Sequence, residues 1–179
     1  MMPVPLAEAE LASKPVSAVL VLLRPDREDL EVLLGRRARR PGDPWSGQVS
    51  FPGGHRHKED PSLLETALRE TKEEMNLDLA GRAEVVGHLA PRSPGNVPEM
   101  LVVPFVAVAT QPLAPHPGPE MAEAFWTLLR ELPRCREQAT VQTRVGELRV
   151  PAYRWKGRLI WGLTYRILEE LLILLDVSG

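Results

Sequence analysis

Gly53-Gly54-His55-Arg56-His57-Lys58-Glu59-Asp60-Pro61-Ser62-Leu63-Leu64-Glu65-Thr66-Ala67-Leu68-Arg69-Glu70-Thr71-Lys72-Glu73-Glu74-Met75-Asn76-Leu77 is a glycine turn followed by a helix. Asp60 can cap that helix, and Pro61 suits its first position. Leu64, Ala67, Leu68, Thr71 and Met75 recur at helical spacing and predict the buried face. Glu70, Glu73 and Glu74 are assigned to the opposite side. Their i, i+3 and i, i+4 spacings set like charges side by side, which costs roughly 0.2–0.5 kcal/mol per pair. Glu73 and Glu74 also stand near the helix C-terminus, where the dipole disfavours anions. A solvated polar face accounts for these acids. So does a bound cation that reverses the repulsion, and from the helix alone the two weigh about equally. Oxygen-only ligands suit Mg²⁺ or Mn²⁺.

Working outward, Val16 to Leu23 is an apolar, β-branched-rich run closed by Pro25-Asp26, which predicts a buried strand. Leu30 to Leu34 is its expected hairpin partner. Arg36 to Trp45 is basic and rich in Gly and Pro, a loop. Gln48 to Phe51 predicts a short strand, and Val85 to Leu89 and Leu101 to Ala109 two more, with a turn-rich loop over Pro91 to Glu99. Pro112 to Pro119 holds four prolines and must be a loop. Ala122 to Arg130 reads as a short helix or as a strand leading into one. Leu148 to Tyr153 and Arg158 to Trp161 predict a hairpin around Lys156-Gly157. Thr164, Ile167, Leu168, Leu171, Leu172 and Leu175 line one face of a C-terminal helix. The expected architecture is α/β, a mixed sheet with helices on both faces.

The chain has 179 residues, 44% of them hydrophobic and 26% charged. One domain over residues 1–179 is expected, with a core and without dominant disorder. The net charge of −2 excludes the basic footprint of a general nucleic-acid binder. The single cysteine, Cys135, leaves no intrachain disulfide. Val19 to Leu23 and Leu171 to Leu175 are far too short to span a membrane, and the N-terminus reads as no secretory signal. A cytoplasmic, reducing location is the expectation.

Gly54 through Arg69-Glu70-Thr71-Lys72-Glu73-Glu74-Met75-Asn76-Leu77 closely resembles the Nudix box, G-x5-E-x7-R-E-U-x-E-E-x-G-U, the signature of the Nudix hydrolase family. The box covers about residues 53–77. The stretch from Gly54 to Arg69 is one residue longer than the standard box, so Asp60 meets the early acidic position if that residue is allowed for. Thr71 replaces an aliphatic residue. Asn76 replaces the terminal Gly, and Asn tolerates the left-handed cap conformation. The flanks are similar to the coenzyme A diphosphatase branch, with its Leu-Leu-Thr-x-Arg-Ser-x3-Arg-x3-Gly-x3-Phe-Pro-Gly-Gly signature. Leu33-Leu34-Gly35-Arg36-Arg37-Ala38, Gly47 to Gly54 and Ile160-Trp161-Gly162-Leu163-Thr164 echo that branch. Between the ends, Asp43 stands where the signature has Arg.

The resemblance implies a Nudix α/β/α sandwich with a mixed central sheet, and hydrolysis of a diphosphate linked to another moiety. It implies Mg²⁺ or Mn²⁺ held by Glu70 and Glu74, with Glu73 ligating directly or through water. Arg69 would hold a carboxylate, Glu73 by spacing, in position. Gly53 and Gly54 would let the backbone pass close to the site. Glu120, and equally Glu123, could supply a late general base or ligand, or be surface charge. Arg36 and Arg37 could clamp substrate phosphate, Arg37 being the better aligned. Trp45 could stack on a nucleobase or anchor its loop. His55 and His57 are two residues short of a zinc site and read as solvated.

The expected substrate is a small nucleotide, foremost coenzyme A or an acyl derivative, giving 3′,5′-ADP and 4′-phosphopantetheine. Alternatives are an ADP-ribose, sugar-nucleotide or nucleoside triphosphate pyrophosphatase, and a non-catalytic nucleotide-sensing domain. No nucleic-acid or membrane partner is expected. A homodimer is among the oligomeric states left open.

Overall fold

The structure, a computed structural model, describes residues 15–177 apart from Glu28 and Pro44. Strand β1 (Val16–Asp26) runs through Pro25 and turns back into β2 (Asp29–Arg37). Both are longer than their apolar runs, because Leu23 to Asp26 still pair with Asp29 to Val32. Two short strands follow, β3 (Val49–Ser50) and β4 (Gly53–His55), then helix α1 (Leu63–Met75). Next come β5 (Ala83–His88), β6 (Leu101–Ala109), β7 (Met121–Leu128) and a 3₁₀ helix (Leu129–Cys135). Strands β8 (Arg136–Thr143), β9 (Gly146–Trp155) and β10 (Arg158–Trp161) lead into α2 (Gly162–Leu174).

Seven strands form a mixed sheet, ordered β3-β2-β1-β6-β5, with β4 added to β1 and β7 to β2. The β1–β6 pair is parallel and the other pairings are antiparallel. Side chains alternate across a strand, so β1 and β2 feed two cores. Ala18, Leu20, Leu22 and Leu33 pack with Ala67 and Met75 of α1. Val21, Leu23, Val32 and Leu34 pack with Ile167, Leu168 and Leu171 of α2. The α/β/α expectation therefore holds, one helix lying on each face. A separate three-stranded sheet, β10-β9-β8, shares the α2 side and puts Tyr153, Trp155 and Ile160 into that core.

The segment after Met121 resolves its two readings in favour of a strand, followed by a 3₁₀ turn. Strand β8 was not expected. Its buried residues, Ala139 and Val141, alternate with polar ones, and β9 pairs along its whole length.

Helix α1 is capped differently from the expectation. Ser62, not Asp60, is the N-cap, its side chain accepting from the Glu65 amide at 3.1 Å. At the other end Asn76 takes the left-handed conformation, φ 52°. The proline-rich loop 112–119 closes over that end: the His116 and Gly118 amides donate to the Met75 and Glu74 carbonyls at 2.9 and 2.8 Å. These carbonyls lack partners within the helix.

Candidate active site

The last two turns of α1 face β4 and the end of β2, and the three glutamates are not equivalent there. Glu74 is only 4% exposed, which corrects its placement on a solvated face. Ala67, Thr71 and Glu74 stand at i, i+4 and i+7, and all three are buried. One Glu74 oxygen accepts from the Gly53 amide at 3.0 Å and the other from Arg37 Nη1 at 3.2 Å. Burial pushes this carboxyl up to about 7; the Gly53 amide and Arg37 oppose the shift, while Glu70 and Glu120 add to it. Glu70 lies against β4. A Cβ on Gly54 would come within 2.5 Å of Glu70 Oε1, so the carboxylate occupies the space a side chain would take. On Gly53, a Cβ would meet the Ala18 carbonyl at 2.3 Å. Glu73 is the exposed member of the three.

Arg69 organises the near side. Its Nε and Nη2 bind the two oxygens of Asp60, each at 3.0 Å. Its Nη1 reaches Glu70 at 2.9 Å and, more distantly, Glu73 at 3.3 Å. The principal partner is thus Asp60, not Glu73 as spacing had suggested. Asp60 also accepts from the buried Thr66 hydroxyl and the His57 amide. The bonds from Arg69 first, then from His57, hold its carboxyl well below the usual carboxylate range. The motif's early acidic position had pointed to Asp60; its bidentate grip on Arg69 became visible only in the fold.

Arg37 organises the far side, bridging three carboxylates from three segments: Glu74, Asp43 at 3.2 Å and Glu120 at 3.6 Å. Asp43, the residue that departs from the signature, is what anchors Arg37. The expected phosphate clamp is therefore engaged by the chain's own acids. Glu120 is drawn to the site by Arg37 and by Arg40 at 3.6 Å. Glu123 is not; it pairs with Arg36 and Arg158 on the opposite sheet face. Trp45 shapes its loop through the backbone, its amide donating to Asp43 at 3.0 Å. Among the described residues no ring or cation stacks on its indole. His55 and His57 are exposed, and His55 Nδ1 is paired with the Ser17 hydroxyl at 2.9 Å. Cys135 is half-buried against the α2-side core.

Among the described residues no three His, Cys, Asp or Glu side chains converge as a formed cation site. Glu70 and Glu74 are held by arginines and an amide, which compensate their burial. The donor set itself fits a hard divalent ion. It is all oxygen, spread over adjacent turns of one helix, beside glycines that leave room for it.

A family model described as NUDIX domain matches residues 14–146. The uncharacterized Nudix hydrolase NudL of Photorhabdus laumondii is 38% identical over 130 residues, covering 70% of this chain and 67% of that protein. The chain spans about two thirds of the length of its Photorhabdus laumondii, Yersinia enterocolitica and Pectobacterium atrosepticum relatives. A human protein described as mitochondrial coenzyme A diphosphatase NUDT8 is 35% identical over 177 residues, covering 94% of this chain and 73% of that one. The crystal structure of a NUDIX hydrolase from Nitrosomonas europaea superposes with TM-score 0.52 and 27% identity, over 68% of this chain and 61% of that one.

Proposed function

This chain belongs to the Nudix hydrolase family, and from that premise we propose that it is a diphosphatase acting on coenzyme A or an acyl derivative. The products are 3′,5′-ADP and 4′-phosphopantetheine. The similarity to the coenzyme A diphosphatase relative across 94% of the chain carries this reading. It is supported by the basic segment before the box and by Ile160 to Thr164, which lie outside the catalytic helix.

Nudix hydrolases use divalent metal ions, and Glu70, Glu74 and Glu73 would hold Mg²⁺ or Mn²⁺ here. When bound, such an ion neutralises charge on the phosphate oxygens and activates water. The chain's own residues prepare the site. The Asp60–Arg69 pair fixes Glu70 against Gly54. Arg37, braced by Asp43, and the Gly53 amide fix both oxygens of Glu74. We assign to Glu120, half exposed beside Arg37 and Arg40, the acceptance of a proton from the attacking water.

The whole chain is taken as one Nudix domain, since β9, β10 and α2, beyond residue 146, fill the core under β1 and β2. Its single cysteine and net charge of −2 fit an intracellular enzyme with a small-molecule substrate. A chromatographic screen of the products formed from coenzyme A, ADP-ribose, NADH and nucleoside triphosphates, with Mg²⁺ and with Mn²⁺, tests the assignment. Hydrolysis of ADP-ribose without coenzyme A would refute it.

A further inference from the structure

Arg36 and Arg37 are neighbours at the end of β2, where the register against β7 shifts, and their side chains part to different acids, Glu123 and Glu74. Arg37 goes to the acids of α1. Arg36 lines a cavity of about 690 Å³ between the β2–β3 edge and the β8–β10 sheet. That volume lies within the roughly 300–1,000 Å³ of small-molecule sites. Arg36, Lys156 and Arg158 bring three cations to its wall. Glu123 is shared between two of them: Arg36 Nη2 reaches one oxygen at 2.6 Å and Arg158 Nε the other at 2.8 Å. A guanidinium carries five N–H donors, and the hydrogen bonds among the described residues use one from each. Arg158 lies over Phe125, its guanidinium carbon 4.2 Å from the ring centroid, and Lys156 lies 4.4 Å over Trp155. Asp43, the second acid of the wall, is bound by Arg37 from the other side. Lys156 also stands 3.8 Å from Glu131, so what the wall offers an anion is the unused N–H donors of its aromatic-backed cations. Through Asp43 the wall adjoins the arginine that holds Glu74.

We infer that this cavity is a phosphomonoester subsite, built by Arg36, Lys156 and Arg158, for a nucleotide whose diphosphate lies at the α1 acids. The choice of nucleotide rests on the coenzyme A reading: the 3′-phosphate of its adenosine is the monoester this wall would take. That gives the 3′-phosphate to Arg36 and the β9–β10 turn, and not to Arg37, the better aligned member of the expected phosphate clamp. Arg presents paired donors to a phosphate, and Lys156 adds a point charge.

The test is equilibrium titration of the full chain in EDTA with 3′,5′-ADP, 5′-AMP and inorganic phosphate. Wild type is expected to bind 3′,5′-ADP at least about tenfold tighter than 5′-AMP, as one charge-assisted contact allows. Lys156→Glu and Arg158→Ala should each bring the preference within twofold, Arg158→Lys should restore part of it, and Glu70→Gln should leave it intact. Inorganic phosphate should displace 3′,5′-ADP from wild type. Lys156 is exposed, so its variant reads the site even where Arg158→Ala unfolds through loss of its stacking. Equal affinity for the two nucleotides, or a preference that survives Lys156→Glu, overturns the subsite. Coenzyme A hydrolysis is scored separately. Preference without hydrolysis refutes the substrate and keeps the subsite, and hydrolysis without preference does the reverse.

Discussion

Replacing Glu74 by Gln should stabilise the metal-free protein in alkali relative to wild type while destroying turnover. The carboxyl is 4% exposed and pushed from 4.5 up to about 7 by burial. At 1.36 kcal/mol per pH unit, the full shift corresponds to roughly 3 kcal/mol. Its sign follows from linkage. Between 4.5 and 7 the folded chain holds a proton that the unfolded chain has released, so stability falls as pH rises through that window. Gln has one carbonyl oxygen and can accept from Gly53 or from Arg37 but not from both. That mismatch costs about 1–3 kcal/mol at every pH. The informative quantity is therefore the wild-type minus variant difference as pH changes. Urea unfolding in EDTA at pH 5 and pH 8 should show wild type losing about 2–3 kcal/mol relative to Glu74→Gln. Saturating Mg²⁺ should restore wild type alone, and turnover should fall by orders of magnitude in the variant. A wild-type minus variant difference that stays flat across this range would refute the burial argument. Retained turnover would remove Glu74 from the ligands.

Three further expectations follow from the same geometry. Asp60→Asn should lower stability at neutral pH, because the carboxylate is held below its ordinary value by Arg69. That contribution is present above the unfolded pKa and is lost as pH falls through the lower folded one. Melting curves should show the deficit narrowing in acid, and a constant deficit would point to lost packing. Gly54→Ala should cost far more activity than stability, since the added methyl lands on the Glu70 carboxylate, a side-chain end and not backbone; normal turnover with an unshifted Mg²⁺ dependence would exclude the crowding. Finally, Mg²⁺ or Mn²⁺ should raise the melting temperature of wild type modestly. The Glu70→Gln, Glu74→Gln double variant should show no such rise, and an equal rise there would place the stabilising ion elsewhere.

The central strands were legible because runs such as Val16 to Leu23 feed apolar residues to both faces of a covered sheet, and both faces proved buried. Helix α1 was legible from its motif, and Asn76 as its left-handed end from residue chemistry alone. Glu74 was misplaced although its signal was present. Ala67, Thr71 and Glu74 share helical spacing, and a glutamate's charge argues for solvent until an arginine and an amide are seen waiting for it. Strand β8 escaped notice because Ala139 and Val141 are its only buried hydrophobic residues. The role of Arg37 was invisible for a different reason. Asp43, Glu74 and Glu120 lie far apart in the chain, and only the packing of β2, α1 and two loops brings them to one guanidinium.

The docking of the proline-rich loop on the end of α1 also constrains where this chain can change length. The amides of His116 and Gly118 are fastened to the carbonyls beside the acids, and Glu120 follows two residues later. Insertions before His116 would only enlarge a surface excursion. One residue inserted between Gly118 and Met121 would move Glu120 away from Arg37. It would also slip β7 against β2 by one position, and a one-residue slip turns every side chain to the other face of the sheet. Glu123 would then leave Arg36, and Phe125 would leave Trp155. In a set of length variants, tolerance should therefore switch to intolerance at a single residue boundary, with both sheet faces failing together.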